Sequence, residues 1–195
     1  MKVFIATKNQ KKLVELSRIL EPMGFCVVCE RDLDKPLEEI EETGTTFAEN
    51  AMLKARVVAS MCDYPVIADD SGLCVDALDG APGIYSARFA GEDADDAERN
   101  RHLLELMEGK ENRKAHYVAA IAYIGMDGME YVTEGRTEGE IQLAEEGMGG
   151  FGYDPLFFST EIGKCFGLAT PDEKNEVSHR GRALRKLYEI LVNEE

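Results

Sequence analysis

The chain has 195 residues, 44% of them hydrophobic, which is enough for a sizeable core and fits one domain spanning residues 1–195. Its formal net charge of −16, from 22 Lys and Arg against 38 Asp and Glu, excludes binding of a nucleic-acid polymer along a broad face. It leaves room for a small anionic substrate if cations are gathered at one place, and no window reaches the apolar length of a membrane span.

Val3–Ala6 reads as a short buried strand. Met1-Lys2 leads straight into it, and the apolar run is too short for a signal-peptide core, so a cytoplasmic location is expected. After the polar turn Thr7-Lys8-Asn9-Gln10, the stretch from Lys11 to Leu20 carries apolar residues at 13, 16, 19 and 20, the spacing of an amphipathic helix. Val27–Cys29 reads as a second strand. The segment Gly24-Phe25-Cys26-Val27-Val28-Cys29 reads as extended, so Cys26 and Cys29, three residues apart, face opposite ways at roughly 10 Å and form no disulfide. All five cysteines are expected as free thiols.

Leu37 to Glu42 is an acidic connector. Thr46-Phe47-Ala48-Glu49 has the form of a capping box and opens a helix with Phe47, Ala51, Ala55, Val58 and Cys62 turned inward. Pro65–Ala68 is a strand that runs into Asp69-Asp70-Ser71-Gly72, followed by a Gly- and Pro-rich loop to Arg88. Asp95 to Glu108 reads as a helix. Tyr117–Ile124 and Met129–Thr137 form a hairpin around Asp127-Gly128, which Glu138–Leu143 extends. Gly147 to Pro155 is a glycine-rich loop, Leu156–Phe158 a strand, and Ser178 to Val192 a closing helix capped by Ser178. Strand–helix units mixed with hairpins predict an α/β fold on a mixed sheet.

Three segments carry candidate chemistry. Lys8, Lys11 and Lys12 crowd the start of the first helix, and His179, Arg180 and Arg182 crowd the start of the last, with Lys174 just before it. A helix N-terminus is already positive, so cations there are unfavourable unless an anion joins them and the free backbone amides. Two helices with the same mismatch point to a bound anion such as a triphosphate. Asp69 and Asp70 sit where a buried strand meets a loop, a common place for ligands in α/β sheets. The same four residues also suit an Asx-type turn. Their hard oxygens suit Mg²⁺, and a second carboxylate could come from Glu38, Glu39, Glu41 or Glu42. In Gly149-Gly150-Phe151-Gly152-Tyr153-Asp154-Pro155 the glycines permit close backbone approach, Phe151 could stack on a base, and Asp154 could accept a hydrogen bond.

In this order and at these spacings, five blocks resemble the inosine triphosphate pyrophosphatase family, also called XTP/dITP diphosphatases. They are Thr7-Lys8-Asn9-Gln10-Lys11-Lys12; Glu42-Thr43-Gly44-Thr45-Thr46-Phe47 with Glu49-Asn50-Ala51 and Lys54-Ala55; Ala68-Asp69-Asp70-Ser71-Gly72-Leu73 through Gly80-Ala81-Pro82-Gly83-Ile84-Tyr85-Ser86-Ala87-Arg88; Gly149 to Pro155; and Glu173-Lys174-Asn175 with Ser178-His179-Arg180. The resemblance runs from residue 3 to about residue 187. It implies an elongated, two-lobed α/β fold around a long mixed β-sheet with flanking helices and a nucleotide cleft between the lobes. It also implies a homodimer that needs Mg²⁺ and hydrolyses ITP, dITP and XTP to monophosphate and pyrophosphate.

Carried over by position, Asp70 is the metal-binding residue and general base, and Glu42 a further metal carboxylate. Thr7, Asn9 and Lys12, within the substrate-binding run Thr7, Lys8, Asn9, Gln10, Lys11 and Lys12, hold phosphates. Ser71 contacts substrate. Phe151, Gly152, Tyr153 and Asp154 line the base pocket, and Lys174, His179 and Arg180 complete substrate binding. One segment departs: Gly167-Leu168-Ala169 stands where members commonly show Ala-Glu-Leu, which bears on packing near the base pocket.

Overall fold

The computed structural model describes residues 1–33, 36–37 and 40–193. Among the described residues, seven strands form one mixed sheet: β1 (Lys2–Ile5), β2 (Cys26–Val28), β3 (Val66–Val75), β4 (Lys114–Ile124), β5 (Glu130–Ile141), β6 (Phe157–Ser159) and β7 (Lys164–Cys165). Their spatial order is β2-β1-β3-β4-β5-β6-β7. β1 pairs in parallel with β2 and β3, whereas β6 is antiparallel to β5 and β7. The helices are α1 (Gln10–Leu20), α2 (Phe47–Ala59), α3 (Asp96–Leu106), α4 (Pro171–Val177) and α5 (His179–Asn193).

The chain divides into two compact units. The first comprises Met1–Asp70, Ala119–Gly135 and the residues from Arg180 on; the second comprises Ser71–Val118 and Arg136–His179. In the first unit the sheet is apolar on both faces, as expected of parallel strands covered by helices. Val3, Ile5, Ile67 and Ile121 pack with Leu16, Ile19 and Leu20 of α1 and Ala183, Leu184 and Leu187 of α5. Phe4, Val66, Ala68 and Ala120 turn the other way, onto Ala51, Ala55 and Val58 of α2. Strand residues alternate between faces, so residue parity along β3 decides which helices each side chain meets.

Local signals place the helices. Asn9 caps α1, its Oδ1 accepting the amides of Lys11 at 3.0 Å and Lys12 at 3.2 Å. Thr46 caps α2 through the Glu49 amide, and Asp95 and Glu98 cap α3 reciprocally. α4 is not anticipated by hydrophobic periodicity. Its signature is Thr170-Pro171-Asp172-Glu173, with proline in the first turn and a reciprocal Thr170–Glu173 cap. Ser178 is the C-cap of that helix, immediately before α5. β3 also runs further than expected. It continues through Asp69-Asp70-Ser71-Gly72 to Val75, so those residues are strand and not an Asx turn. The five cysteines are free, and among the described residues no helix is long and apolar enough to cross a membrane.

In the second unit one face of β3, β4 and β5 buries Leu73, Val75, Ala115, Tyr117 and Ile141 with Tyr153, Leu156, Phe157 and Phe166. Gly139 of β5 pairs with Ser159 of β6. A Cβ at Gly139 would lie 2.4 Å from the Phe158 carbonyl oxygen and 2.5 Å from Phe157 Cζ, so this strand position admits no side chain without repacking. Gly139→Ala is expected to cost about 1–3 kcal/mol, read as a lower urea midpoint with an unchanged slope.

Candidate functional site

The first unit gathers two charged clusters around one pair of carboxylates. Asp69 shares the face of Ile67, towards α1 and α5. Its Oδ2 lies 2.7 Å from the Lys12 ammonium and its Oδ1 3.2 Å from Arg180 Nε. Arg180 Nη1 also reaches Glu15 Oε1 at 3.3 Å. Asp69 and Arg180 are almost wholly buried. Burial alone would raise the Asp69 pKa, but Arg180 and then Lys12 overturn this and hold the carboxyl well below the usual range. The two cation-bearing helix starts therefore do meet an anion, and in this structure it is the protein's own Asp69.

Asp70 points to the opposite face, that of Ala68, towards α2. Its Oδ1 lies 3.2 Å from the Lys54 ammonium, which also holds Glu42 Oε1 at 2.6 Å. Asp70 Oδ2 is buried and has no hydrogen-bond partner among the described residues. Burial pushes the Asp70 pKa up, with Lys54 and Lys12 opposing and Glu42 and Asp69 adding to the rise. Burial pulls Lys54 down, but Asp70 and Glu42 more than offset it and its pKa is raised. Two carboxylates sharing one ammonium, with a buried oxygen uncommitted, fit a divalent cation held by few protein ligands. No cluster of three or more His, Cys, Asp or Glu suited to a metal occurs among the described residues. Glu38 and Glu39, also expected as possible ligands, lie outside the described residues; Glu41 is exposed.

The rest of the Thr7–Lys12 run is more open. Lys8, Asn9, Gln10 and Lys11 are exposed, and the Thr7 hydroxyl accepts the Asn9 amide at 3.2 Å. Gln10 Oε1 accepts from Arg31 at 2.9 Å. Ser71, next to Asp70 on β3, is half-buried.

The second unit holds the remaining expected residues. Lys174 of α4 is buried and bonds Asp154 Oδ2 at 2.7 Å, and the same oxygen accepts the Phe151 amide at 2.8 Å. The Lys174 ammonium lies 5.0 Å from the Phe151 ring centroid and 5.7 Å from that of Phe166. Gly152 has φ 62°, which favours glycine. Tyr153 is buried and donates its hydroxyl to the Ser86 carbonyl at 2.8 Å; burial raises its pKa. His179 is buried and stacks on Tyr117 at 4.7 Å with an 8° interplanar angle.

The departure at Gly167 has a structural partner. The Gly149 amide donates to the Gly167 carbonyl at 2.8 Å, and the Gly167 amide donates to the Asp154 carbonyl at 2.9 Å. A Cβ at Gly167 would lie 2.3 Å from the Glu146 oxygen, and one at Gly147 would lie 2.1 Å from the Gly167 oxygen. Backbone therefore packs on backbone, and Gly167 is part of what shapes the Gly147–Pro155 loop.

Sequence reasoning assigned no role to Lys54, Glu15 or Tyr117. Lys54 and Glu15 carry a readable signal, because each is a charged residue on the inward stripe of an amphipathic helix, beside Ala55 and Leu16 respectively. Tyr117 carries none, since an inward aromatic on a strand looks like any core residue.

Residues 3–190 match the model of the Ham1 family. A protein named dITP/XTP pyrophosphatase from an Exiguobacterium species is 50% identical over 193 residues, covering 98% of this chain and 97% of that protein. The structure of a HAM1 protein from Coxiella burnetii superposes with a TM-score of 0.87 at 37% identity, covering 99% of both chains. That of the Staphylococcus aureus Ham1 protein gives 0.86 at 38% identity, covering 100% of both.

The neighbouring aspartates should respond oppositely to neutralisation in metal-free buffer. Asp69→Asn leaves Arg180 and Lys12 without their shared carboxylate and is expected to cost about 3–5 kcal/mol. A carboxyl whose folded pKa is depressed contributes stability at all pH above its unfolded value, so this loss is full at neutral pH. Asp70 is the reverse case. Its raised pKa is a cost present at neutral pH and absent below both pKa values, so Asp70→Asn should leave the melting temperature equal or higher. Thermal melts at pH 7 with a chelator measure both.

Proposed function

Because the chain belongs to the Ham1 family, we propose that it hydrolyses non-standard purine nucleoside triphosphates (ITP, dITP and XTP) to the monophosphate and pyrophosphate. The observation that carries this reading is the buried, uncommitted Asp70 Oδ2 beside the Glu42–Lys54 pair. A carboxyl group buried without a full set of partners is suited to a cation or a proton. Mg²⁺ held by Asp70 and Glu42 would neutralise phosphate charge and acidify the attacking water.

In the proposed reaction water attacks the α-phosphorus and the bond to the bridging oxygen of the pyrophosphate breaks. Asp70 accepts the water's proton, a role that requires the carboxylate form. Lys12, fixed by Asp69, stands in the first turn of α1. Together with Thr7, Lys8, Asn9, Gln10 and Lys11 it is assigned to the phosphates, where positive charge stabilises the departing pyrophosphate. Ser71 is assigned to the substrate next to Asp70. Arg180 is engaged by both Asp69 and Glu15, which supports a role in holding Asp69 and Lys12 in place.

The base is assigned to the second unit. Phe151 offers a ring for stacking, and Gly152 lets the backbone approach. Asp154 and Lys174 brace the loop as a buried ion pair, and Tyr153 ties it to Ser86. His179, held flat against Tyr117, is the better donor to the purine 6-keto oxygen, since Arg180 is already committed. A donor at that position is left unpaired by the amino group of ATP, which disfavours it. The family resemblance adds a homodimer acting in the cytoplasm, with nucleoside triphosphates as its partners. The net charge of −16 supports the exclusion of nucleic-acid polymers.

Incubation of ITP, dITP, XTP, GTP and ATP with Mg²⁺ should give pyrophosphate from the first three well ahead of ATP. Orthophosphate as the product would refute the reading. Asp70→Asn should lower kcat by at least about a hundredfold while a nucleotide analogue still binds by calorimetry.

A further inference from the structure

Glu42 is carried by a short turn before α2, and the first turn of that helix grips this turn from two sides. Asn50 Oδ1 accepts the Gly44 amide at 2.8 Å. Glu49 Oε2 accepts both the Thr45 amide, at 2.7 Å, and the Thr45 hydroxyl, at 2.9 Å. Glu49 is exposed, whereas Asn50 is 1% exposed. The fit between turn and amide is tight: a Cβ at Gly44 would lie 2.6 Å from Asn50 Oδ1 and 2.8 Å from Glu49 Cβ. One helical turn further on, Lys54 bonds Glu42 at 2.6 Å and Asp70 at 3.2 Å. The same helix therefore holds both the backbone beside Glu42 and the ammonium that Glu42 meets.

Asn50 is not an economical choice for stability alone. Its Nδ2 is buried and has no hydrogen-bond partner among the described residues. An unsatisfied buried donor is costly, and an apolar side chain at this inward position would avoid the cost. What an apolar side chain cannot supply is the acceptor for the Gly44 amide.

We propose that Asn50 is a positioning residue for the metal site: by clamping the Gly44 amide it fixes the turn that presents Glu42 towards Asp70. This rests on the assignment of Glu42 and Asp70 as the metal carboxylates. Asn50 itself touches neither the metal nor the substrate. A divalent ion held by two carboxylates depends on their separation, so freeing the turn loosens metal binding before it affects chemistry at saturating metal.

The test is direct Mn²⁺ binding, followed by electron paramagnetic resonance without nucleotide, for the wild type, Asn50→Ala, Gly44→Ala, the double variant and Asp70→Asn. Asn50→Ala and Gly44→Ala are each expected to weaken Mn²⁺ binding about ten- to a hundredfold. With both open to the same turn, the double variant should be little worse than the weaker single. With ITP, the Mg²⁺ concentration for half-maximal rate should rise by a similar factor, and kcat at saturating Mg²⁺ should change by only a few-fold. If Asn50→Ala does not fold, Gly44→Ala and the exposed Glu49→Ala carry the test, with the same direction of effect expected. Wild-type Mn²⁺ affinity in the folded clamp variants, alongside its loss in Asp70→Asn, would overturn the role of Asn50 alone. Unaltered binding in Asp70→Asn would instead overturn the metal assignment on which this inference rests.

Discussion

The two-residue period of a single β-strand sets the chemistry of the first unit. Asp69 and Asp70 are chain neighbours, so extended backbone sends their carboxylates to opposite faces of the sheet. On one face Asp69 meets Lys12 and Arg180; on the other Asp70 meets Lys54. The pKa of one is driven down and that of the other up. Two residues identical in kind thus come to occupy different environments through parity. Asp69 is saturated by cations and immobile, which makes it a structural anion. Asp70 is buried but incompletely paired, which leaves it able to take a metal ion or a proton. A shift of register by one residue would exchange the two environments.

In the second unit close backbone approach does the corresponding work. Gly147 and Gly167 lie where a side chain would collide with main-chain atoms, and the Gly149 amide donates to the Gly167 carbonyl. The Asp154 carboxylate both accepts the Phe151 amide and pairs with Lys174. The loop is therefore fixed by backbone contacts on one side and by a buried ion pair on the other. Such a loop holds the Phe151 ring in one place at little further entropic cost. Gly167 suits this contact, since the carbonyl of Glu146 occupies the space a methyl group would take.

Much of this was legible in the sequence, for physical reasons. Helical spacing from Lys11 to Leu20 and the cap at Thr46 located α1 and α2, and alternation with Asp127-Gly128 located the β4–β5 hairpin. Cations at two helix starts point, in the sequence, to a bound anion such as a triphosphate; in the structure Lys12 and Arg180 are met by Asp69. Helix electrostatics cannot say whose anion it is, and the structure supplies Asp69. The extension of β3 through Asp69-Asp70-Ser71-Gly72 was not legible, because Asp, Ser and Gly favour turns and only the pairing of strands overrides that preference. α4 was missed because its seven residues bury little apolar surface, and its caps, not its periodicity, define it. That Lys54 and Glu15 face inward is readable from their helix stripes, but which carboxylates or cations they meet depends on contacts across the sequence that no local pattern encodes.

The acidic composition gives these few buried cations a further consequence. With 38 acidic side chains against 22 basic ones, most surfaces repel a triphosphate, and long-range attraction cannot draw it in. Affinity for a polyanion must then come from short range, where desolvated charges interact strongly and salt screens little. Lys12, Lys54, Lys174 and Arg180 are all largely buried, and each is already matched to a carboxylate of its own unit. Paired in this way, they stay fixed without substrate. A phosphate or metal must then compete with internal carboxylates instead of water, so weakly fitting anions gain little by entering. That competition separates a triphosphate from simpler anions; among nucleotides that share the triphosphate, any choice must come from contacts to the base.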